Sequence, residues 1–102
     1  MRRPTPPRHL SKETRAVWRR LNGEYELGDD AQLILRAALE SWDRAQEARR
    51  LVSRQGLMTP EGRRHPGCDV EKQAYSLFLR AMRQLGLDIV EPGPPGRPPG
   101  GG

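Results

Sequence analysis

The sequence lacks several features that would place it in a well-defined class of protein. Its only cysteine, Cys68, excludes a disulfide within the chain and suits a reducing cytoplasm. No apolar run approaches the roughly 20 residues that a membrane-spanning helix needs. The first residues are charged and proline-rich with no apolar stretch behind them, which predicts that no secretory signal is present. We therefore expect a cytoplasmic protein that does not enter the membrane.

Residue sets that support catalysis are also scarce. The chain has no glycine-rich phosphate loop of the G-x-x-x-x-G-K-[ST] kind, so it is not expected to hydrolyse ATP. His65 and Cys68 have a spacing compatible with metal binding, but structural zinc needs four ligands and no CxxC or HxxxH partner is present. Asp29 and Asp30 resemble a catalytic carboxylate pair, but a role as the cap of a helix explains them better. We predict no catalytic residue, no metal site and no cofactor.

Positive charge is abundant and is concentrated at one end of the chain. Eighteen Lys and Arg against thirteen Asp and Glu give a formal charge of +5. Residues 1–23 hold seven basic residues and one acidic residue, whereas residues 24–62 hold eight acidic and five basic residues. A basic segment of this kind suits a polyanion such as DNA, although it also arises as ordinary solvated surface.

Composition divides the chain into three parts. Residues 1–9 combine three prolines with three arginines and predict a flexible basic arm. Residues 10–90 are predicted to form one helical domain that provides both the core and the oligomer contacts. Residues 91–102 (EPGPPGRPPGGG) predict a disordered Pro/Gly-rich tail with some polyproline II character. A folded part this small often gains stability by associating with copies of itself.

Hydrophobic periodicity predicts an all-α fold with three main helices. The first helix is expected over residues 12–22, with Ser11 as its N-cap and Asn22-Gly23 as its end. The second is expected to begin at Asp29 or Asp30 as its cap and to end near Gln55 before Gly56. Its apolar stripe is rich in alanine, which would let a neighbouring helix approach closely.

The third helix is expected over residues 69–85, with Gly86 ending it. Between the second and third helices, Thr59-Pro60-Glu61-Gly62 has the proline-second, glycine-fourth pattern of a type I turn. A short β-hairpin or turn is therefore predicted there.

Two sets of side chains are candidates for function. Trp18 and Trp42 lie on apolar helical faces, which favours packing over base stacking. The residues expected to pack in the core or between subunits are Trp18, Leu35, Ala38, Trp42, Ala45, Leu77 and Phe78. The candidates for contact with DNA phosphates are Arg2, Arg3 and Arg8 in the arm and Lys12, Arg15 and Arg19 on the first helix. No tight helix-turn-helix is present, so sequence-specific base reading is not predicted.

Several short motifs follow one another in an order that is typical of one family. Leu10-Ser11 is followed by Trp18 and Leu21, and an acidic pair then precedes a long helix ending in the stretch from Arg50 to Gly56. A Leu-Met-Thr-Pro-x-Gly turn, the pair His65-Pro66 and a closing Leu85-Gly86-Leu87 complete the series. Over Leu10 to Leu87, the chain resembles the small subunits of bacteriophage terminases.

The resemblance implies a fold and a function. A terminase small subunit is a helical protomer that assembles into a ring, for which about eight to ten copies are expected. It recognises double-stranded viral or gene transfer agent DNA for packaging and regulates the large terminase subunit, which carries the ATPase and nuclease. The resemblance therefore implies a non-enzymatic, DNA-binding protein of virion assembly in the host bacterial cytoplasm. The Pro/Gly-rich tail has no counterpart in it.

Two other functions remain open on the residues alone. A helical adaptor that binds another protein would show no salt-dependent binding to DNA. A small hydrolase or nuclease would use Asp29, Asp30 or His65, and a metal-dependent nuclease assay would detect it.

Overall fold

The computed structural model describes residues 3–87, and within that range the chain forms three α-helices and no strand. Helix α1 spans Lys12–Glu24, α2 spans Asp29–Gln55 and α3 spans Pro66–Leu85. The predicted all-α class and the number of helices are confirmed. Arg2 and the predicted tail, residues 91–102, lie outside the described residues.

The start of α1 is as predicted, but its end is not. The Ser11 side chain accepts a hydrogen bond from the Thr14 backbone N–H, as an N-cap should. The helix continues through Gly23 to Glu24, and Tyr25 is its C-cap, so the predicted end at Asn22 was wrong by two residues. Gly23 lies inside the helix, because glycine lowers the stability of a helix but does not break it.

Helix α2 ends as predicted but begins differently. Gly56 adopts a positive φ of 91° and stops the helix, a conformation that glycine reaches without a steric penalty. The N-cap is Gly28 and makes no side-chain cap hydrogen bond, so the prediction of Asp29 or Asp30 as cap was wrong. Both carboxylates lie in the first turn, where they favour the positive end of the helix dipole.

Helix α3 begins three residues earlier than predicted. Its N-cap is His65, whose Nδ1 accepts a hydrogen bond of 2.9 Å from the Gly67 backbone N–H. Pro66 follows at the first helical position, where its fixed φ suits the helix and its missing N–H costs nothing. The end at Gly86, with a φ of 64°, is as predicted.

A tight turn joins α2 to α3. The Gly62 backbone N–H donates to the Thr59 carbonyl at 2.9 Å, and the Thr59 N–H donates to the Arg63 carbonyl at 2.6 Å. Met58 and Arg64 form a single antiparallel bridge outside any strand. The predicted turn over residues 59–62 is therefore present. In the part of the chain that the structure describes, one β-bridge flanks the turn, and no hairpin of two strands is formed.

Helices α2 and α3 run antiparallel and pack together along much of their length. At one end, a Cβ added to Gly67 would lie 2.8 Å from Val52 Cγ2, which is too close for two carbon atoms. Glycine at this position is what allows α3 to begin directly against α2. Ala45, Ala48 and Ala74 are buried, in agreement with the predicted close approach of alanine-rich helices.

The main core lies where α1 crosses the first half of α2. Its buried members are Leu10, Trp18, Leu21, Leu35 and Leu39. Met82 and Leu85 at the end of α3, and Leu87 just after it, pack against this cluster and close it from the third side. Within residues 3–87, none of the three helices combines the length and apolar composition that crossing a bilayer requires.

Candidate functional site

Helix α1 carries opposite properties on its two sides. Successive residues turn by about 100° around a helix, so residues 12, 15 and 19 share one face and residues 14, 18 and 21 share another, about 125° away. Thr14, Trp18 and Leu21 are buried. Lys12 and Arg19 are exposed and Arg15 is half-buried. We call Lys12, Arg15 and Arg19 the cationic face of α1.

The charges of the cationic face have no close acidic partner among residues 3–87. The three ion pairs within 4 Å in that range join His9 to Glu40, Arg36 to Glu40 and Arg64 to Asp69. None of them involves the cationic face, which presents its positive charge directly to solvent. Such a surface attracts a polyanion, and the attraction weakens as salt is added.

A network of short hydrogen bonds fixes α1 to α2. The Asp43 carboxylate accepts from the Ser11 backbone N–H at 2.9 Å, from the Ser11 hydroxyl at 2.7 Å and from the Thr14 hydroxyl at 2.9 Å. Hydrogen bonds to an ionised acceptor are stronger than those between neutral groups. Asp43 therefore sets the direction in which the cationic face points. The role of Asp43 was not predicted, because nothing in the sequence pattern of α2 distinguishes it from other solvated acids.

The described part of the predicted arm, residues 3–9, lies against the helices. The Trp18 indole N–H donates to the Pro4 carbonyl at 3.1 Å, and His9 Nε2 contacts the Glu40 carboxylate. Arg3 and Arg8 are exposed. The contacts of Pro4 with Trp18 and of His9 with Glu40 keep residues 3–9 beside α1 and α2, while Arg2 falls outside the described residues.

The environment of Glu40 changes its acidity. Partial burial raises the pKa of the Glu40 carboxyl, but hydrogen bonds from His9 and Arg36, together with the Arg36 and His9 charges, lower that pKa by more. The folded-state pKa is thus below the ordinary value. Any stability from these contacts is present above the unfolded-state pKa and is lost as the pH falls through the lowered one.

Three aromatic side chains form a cluster between α2 and α3. The Trp42 ring centroid lies 5.0 Å from that of Phe78 and 6.1 Å from that of Tyr75, in tilted and edge-on arrangements that aromatic rings prefer. The Trp42 indole N–H donates to Glu13 Oε1 of α1 at 2.8 Å. The apolar pattern predicted packing for Trp42 and Phe78 but not for Tyr75. Tyr75 lies three residues before Phe78 and so near the same helical face, which was a usable signal.

An apolar groove runs between α1 and α3 beside this cluster. It has a volume of about 290 Å³. Leu39 and Trp42 of α2 form its floor. Val17 of α1 lines one wall, and Phe78, Leu79 and Met82 of α3 line the other. The side chains of Glu13 and Arg20 stand at its α1 rim, so the groove is apolar inside and charged along one edge.

The structure divides the predicted packing residues into three groups. Trp18, Leu35, Ala38 and Ala45 are buried in the protomer. Trp42 and Phe78 are half-buried. Leu77 is 50% exposed, and Val70, two turns back on the same side of α3, is 41% exposed. Leu77 therefore does not belong to the protomer core and remains a candidate for contact between subunits.

His65 is engaged in holding the fold. Its Nδ1 caps α3, and its Nε2 lies 2.6 Å from Gln55 Oε1 at the end of α2. The ring thus links the two helices through both of its nitrogen atoms. Among residues 3–87, no three His, Cys, Asp or Glu side chains are grouped in a way that would hold a metal ion.

No protein-family model, no curated protein and no solved structure matches the chain.

Proposed function

We propose that this chain is the small subunit of a terminase that packages phage or gene transfer agent DNA in the bacterial cytoplasm. In this proposal it assembles into a ring of about eight to ten copies. The ring binds double-stranded DNA through the phosphate backbone and presents it to the large terminase subunit, whose ATPase and nuclease it regulates. The ordered motifs from Leu10 to Leu87 support the family, and the surfaces described above support the mode of action.

The observation that carries the proposal is the cationic face of α1. Its three basic side chains are held by a helix whose other side is anchored in the core, so they form a rigid row. They have no acidic partner within 4 Å among the described residues. Binding DNA phosphates with such a row releases condensed counterions, which supplies affinity without reading sequence.

Exposed apolar side chains support self-association. Val70 and Leu77 lie on the flank of α3 that faces away from the groove, and Leu33 and Leu51 lie on the outer side of α2 with 64% and 36% exposure. A protomer with a small core often covers such residues by contact with copies of itself. In a ring, each subunit would bury one flank against its neighbour.

The same apolar surfaces favour a second candidate function, a helical adaptor that binds another protein without contacting DNA. Titration of the full chain with double-stranded DNA at several salt concentrations separates the two functions. The terminase proposal predicts that the logarithm of the binding constant falls linearly with the logarithm of the salt concentration. An adaptor would show no such binding.

Replacement of Arg2, Arg3 and Arg8 with alanine tests the contribution of the arm. If each side chain neutralises one phosphate, the slope of the salt dependence should fall by about 2.7, because each contact contributes about 0.9. Fluorescence anisotropy with a labelled duplex measures it. Alanine at Arg49, Arg50 and Arg54, which are exposed at the end of α2, removes the same charge elsewhere and serves as the control. Unchanged binding by the arm variant would reject the arm as a contact.

A further inference from the structure

The groove between α1 and α3 has the lining of a site for an extended, proline-rich chain. Trp42, Phe78 and Tyr75 form a continuous aromatic surface at one end of it, and Val17, Leu39 and Met82 form an aliphatic surface at the other. Polyproline II segments dock in aromatic-lined grooves, because they are already extended and lose little entropy on binding. The chain itself supplies a segment of that composition in residues 91–102.

The chain leaves the described residues next to the aliphatic end of the groove. Leu87, the last described residue, packs against the same core cluster as Val17 and Met82, which line the groove. Fifteen residues follow it. Along α1, the groove rim from Arg20 to Glu13 spans seven residues, or about 10 Å. An extended chain advances about 3.1 Å per residue, so the tail is long enough to turn back and pass the aromatic cluster.

The charges of the tail and of the groove rim occur in matching order. A chain entering from Leu87 meets Arg20 first and Glu13 second, because α1 runs antiparallel to α2 and Glu13 contacts Trp42. The tail presents Glu91 first and Arg97 second. In polyproline II, Glu91 and Arg97 are about 19 Å apart, whereas the backbone positions of Arg20 and Glu13 are about 10 Å apart. The long side chains of Arg20 and Arg97 span that difference, so that Glu91 would pair with Arg20 and Arg97 with Glu13. Glu13 accepts from the Trp42 indole and retains free acceptor positions for a guanidinium group.

We propose that the Pro/Gly-rich tail of this chain, residues 91–102, docks in the groove between α1 and α3 of the same protomer. The tail covers Leu79 and the Trp42–Phe78 surface, and the pairs of Glu91 with Arg20 and Arg97 with Glu13 fix its direction. Docking of the tail does not depend on DNA binding. It assigns the groove flank of α3 to the tail and leaves the Val70 and Leu77 flank for contact between subunits.

Paramagnetic broadening in the full chain tests the docking. A nitroxide is attached to a Gly96→Cys variant in a Cys68→Ser background, and the leucine methyl signals are recorded. Leu79 and Leu77 are two residues apart on α3 and similarly exposed, at 46% and 50%, but lie on opposite flanks. We expect the paramagnetic relaxation rate of the Leu79 methyl groups to exceed that of the Leu77 methyl groups several-fold, because the effect falls with the sixth power of the distance from the nitroxide. Equal broadening of both would overturn the proposal, because an undocked tail samples both flanks.

Isotope dilution distinguishes the tail of the same chain from that of a neighbouring copy. In one sample, chains carrying both the isotope and the nitroxide are diluted with unlabelled chains, so only contacts within a chain broaden signals. In the other sample, isotope-labelled chains are mixed with nitroxide-labelled chains, so only contacts between chains broaden signals. We expect selective broadening of the Leu79 signals in the first sample alone. Selective broadening in the second alone would overturn docking within the protomer and assign the tail to a neighbour.

Charge reversal tests the direction of docking. Glu13→Arg and Arg97→Glu should each abolish the selective broadening of the Leu79 signals, and the double variant should restore it. Arg97 lies in the tail, outside the helical core, so Arg97→Glu gives a clear result even if Glu13→Arg disturbs α1. A double variant no better than either single variant would contradict the pairing of Arg97 with Glu13.

Discussion

Replacement of Leu35 with alanine should lower the free energy of unfolding by about 2 to 5 kcal/mol. Leu35 is fully buried in the cluster that joins α1, α2 and the end of α3. The variant loses the transfer free energy of the removed methyl groups and leaves a cavity that the surrounding helices fill only in part. This loss is a large share of the stability of a domain this size. Urea denaturation followed by circular dichroism measures it.

Leu33→Ala is the matched control for this experiment. Leu33 lies two residues away on the same helix and is 64% exposed, so its replacement should change the stability by no more than about 0.5 kcal/mol. The comparison tests the rotation of α2 about its own axis. A loss at Leu33 equal to that at Leu35 would mean that α2 presents a different face to α1 and α3.

Replacement of Lys12, Arg15 and Arg19 with alanine should weaken DNA binding about a hundredfold at 0.15 M monovalent salt. If each side chain neutralises one phosphate, three contacts reduce the salt-dependence slope by about 2.7, and that slope acts over the interval from 0.15 to 1 M. Anisotropy titrations at four or more salt concentrations give both the affinity and the slope. Thermal unfolding should remain nearly unchanged, because Lys12 and Arg19 are exposed and Arg15 is half-buried.

The control for this variant removes the same charge from another helix. Lys72, Arg80 and Arg83 are exposed on α3, and their replacement with alanine leaves the same net charge as the α1 variant. A general effect of net charge would weaken both variants equally. Weakening of the α1 variant alone locates the contact, whereas equal weakening would remove the cationic face as the DNA-binding surface.

Most of each helix could be predicted from the sequence, because helix starts and ends depend on interactions between residues that are close together in the chain. Ser11 caps α1, and Gly56 and Gly86 adopt the positive φ values that end α2 and α3. The start of α2 was predicted wrongly because the same residue type suits two neighbouring positions at the start of a helix. Asp29 is favourable both as an N-cap and in the first turn of a helix, and the structure uses the second option. His65 is an unusual cap, but Pro66 after it was a usable signal for the start of α3.

The candidate site was predictable only where it belongs to one helix. The cationic face follows from the spacing of residues 12, 15 and 19 on α1, which requires nothing beyond helical geometry. The groove requires that Val17, Trp42 and Leu79 from three helices meet, and no single periodic pattern contains their relative positions. The exposure of Leu77 has the same origin, because the apolar stripe of α3 is wider than the surface that α2 covers.

The mass of the purified full chain by native mass spectrometry at modest salt tests the central proposal most directly. A terminase small subunit acts as a closed ring, and the exposed Val70 and Leu77 flank of α3 offers a surface for that assembly. We expect one homogeneous species of about eight to ten chains, as cyclic symmetry produces. A stable monomer or dimer would contradict the terminase proposal and would leave the helical adaptor as the better account of these surfaces.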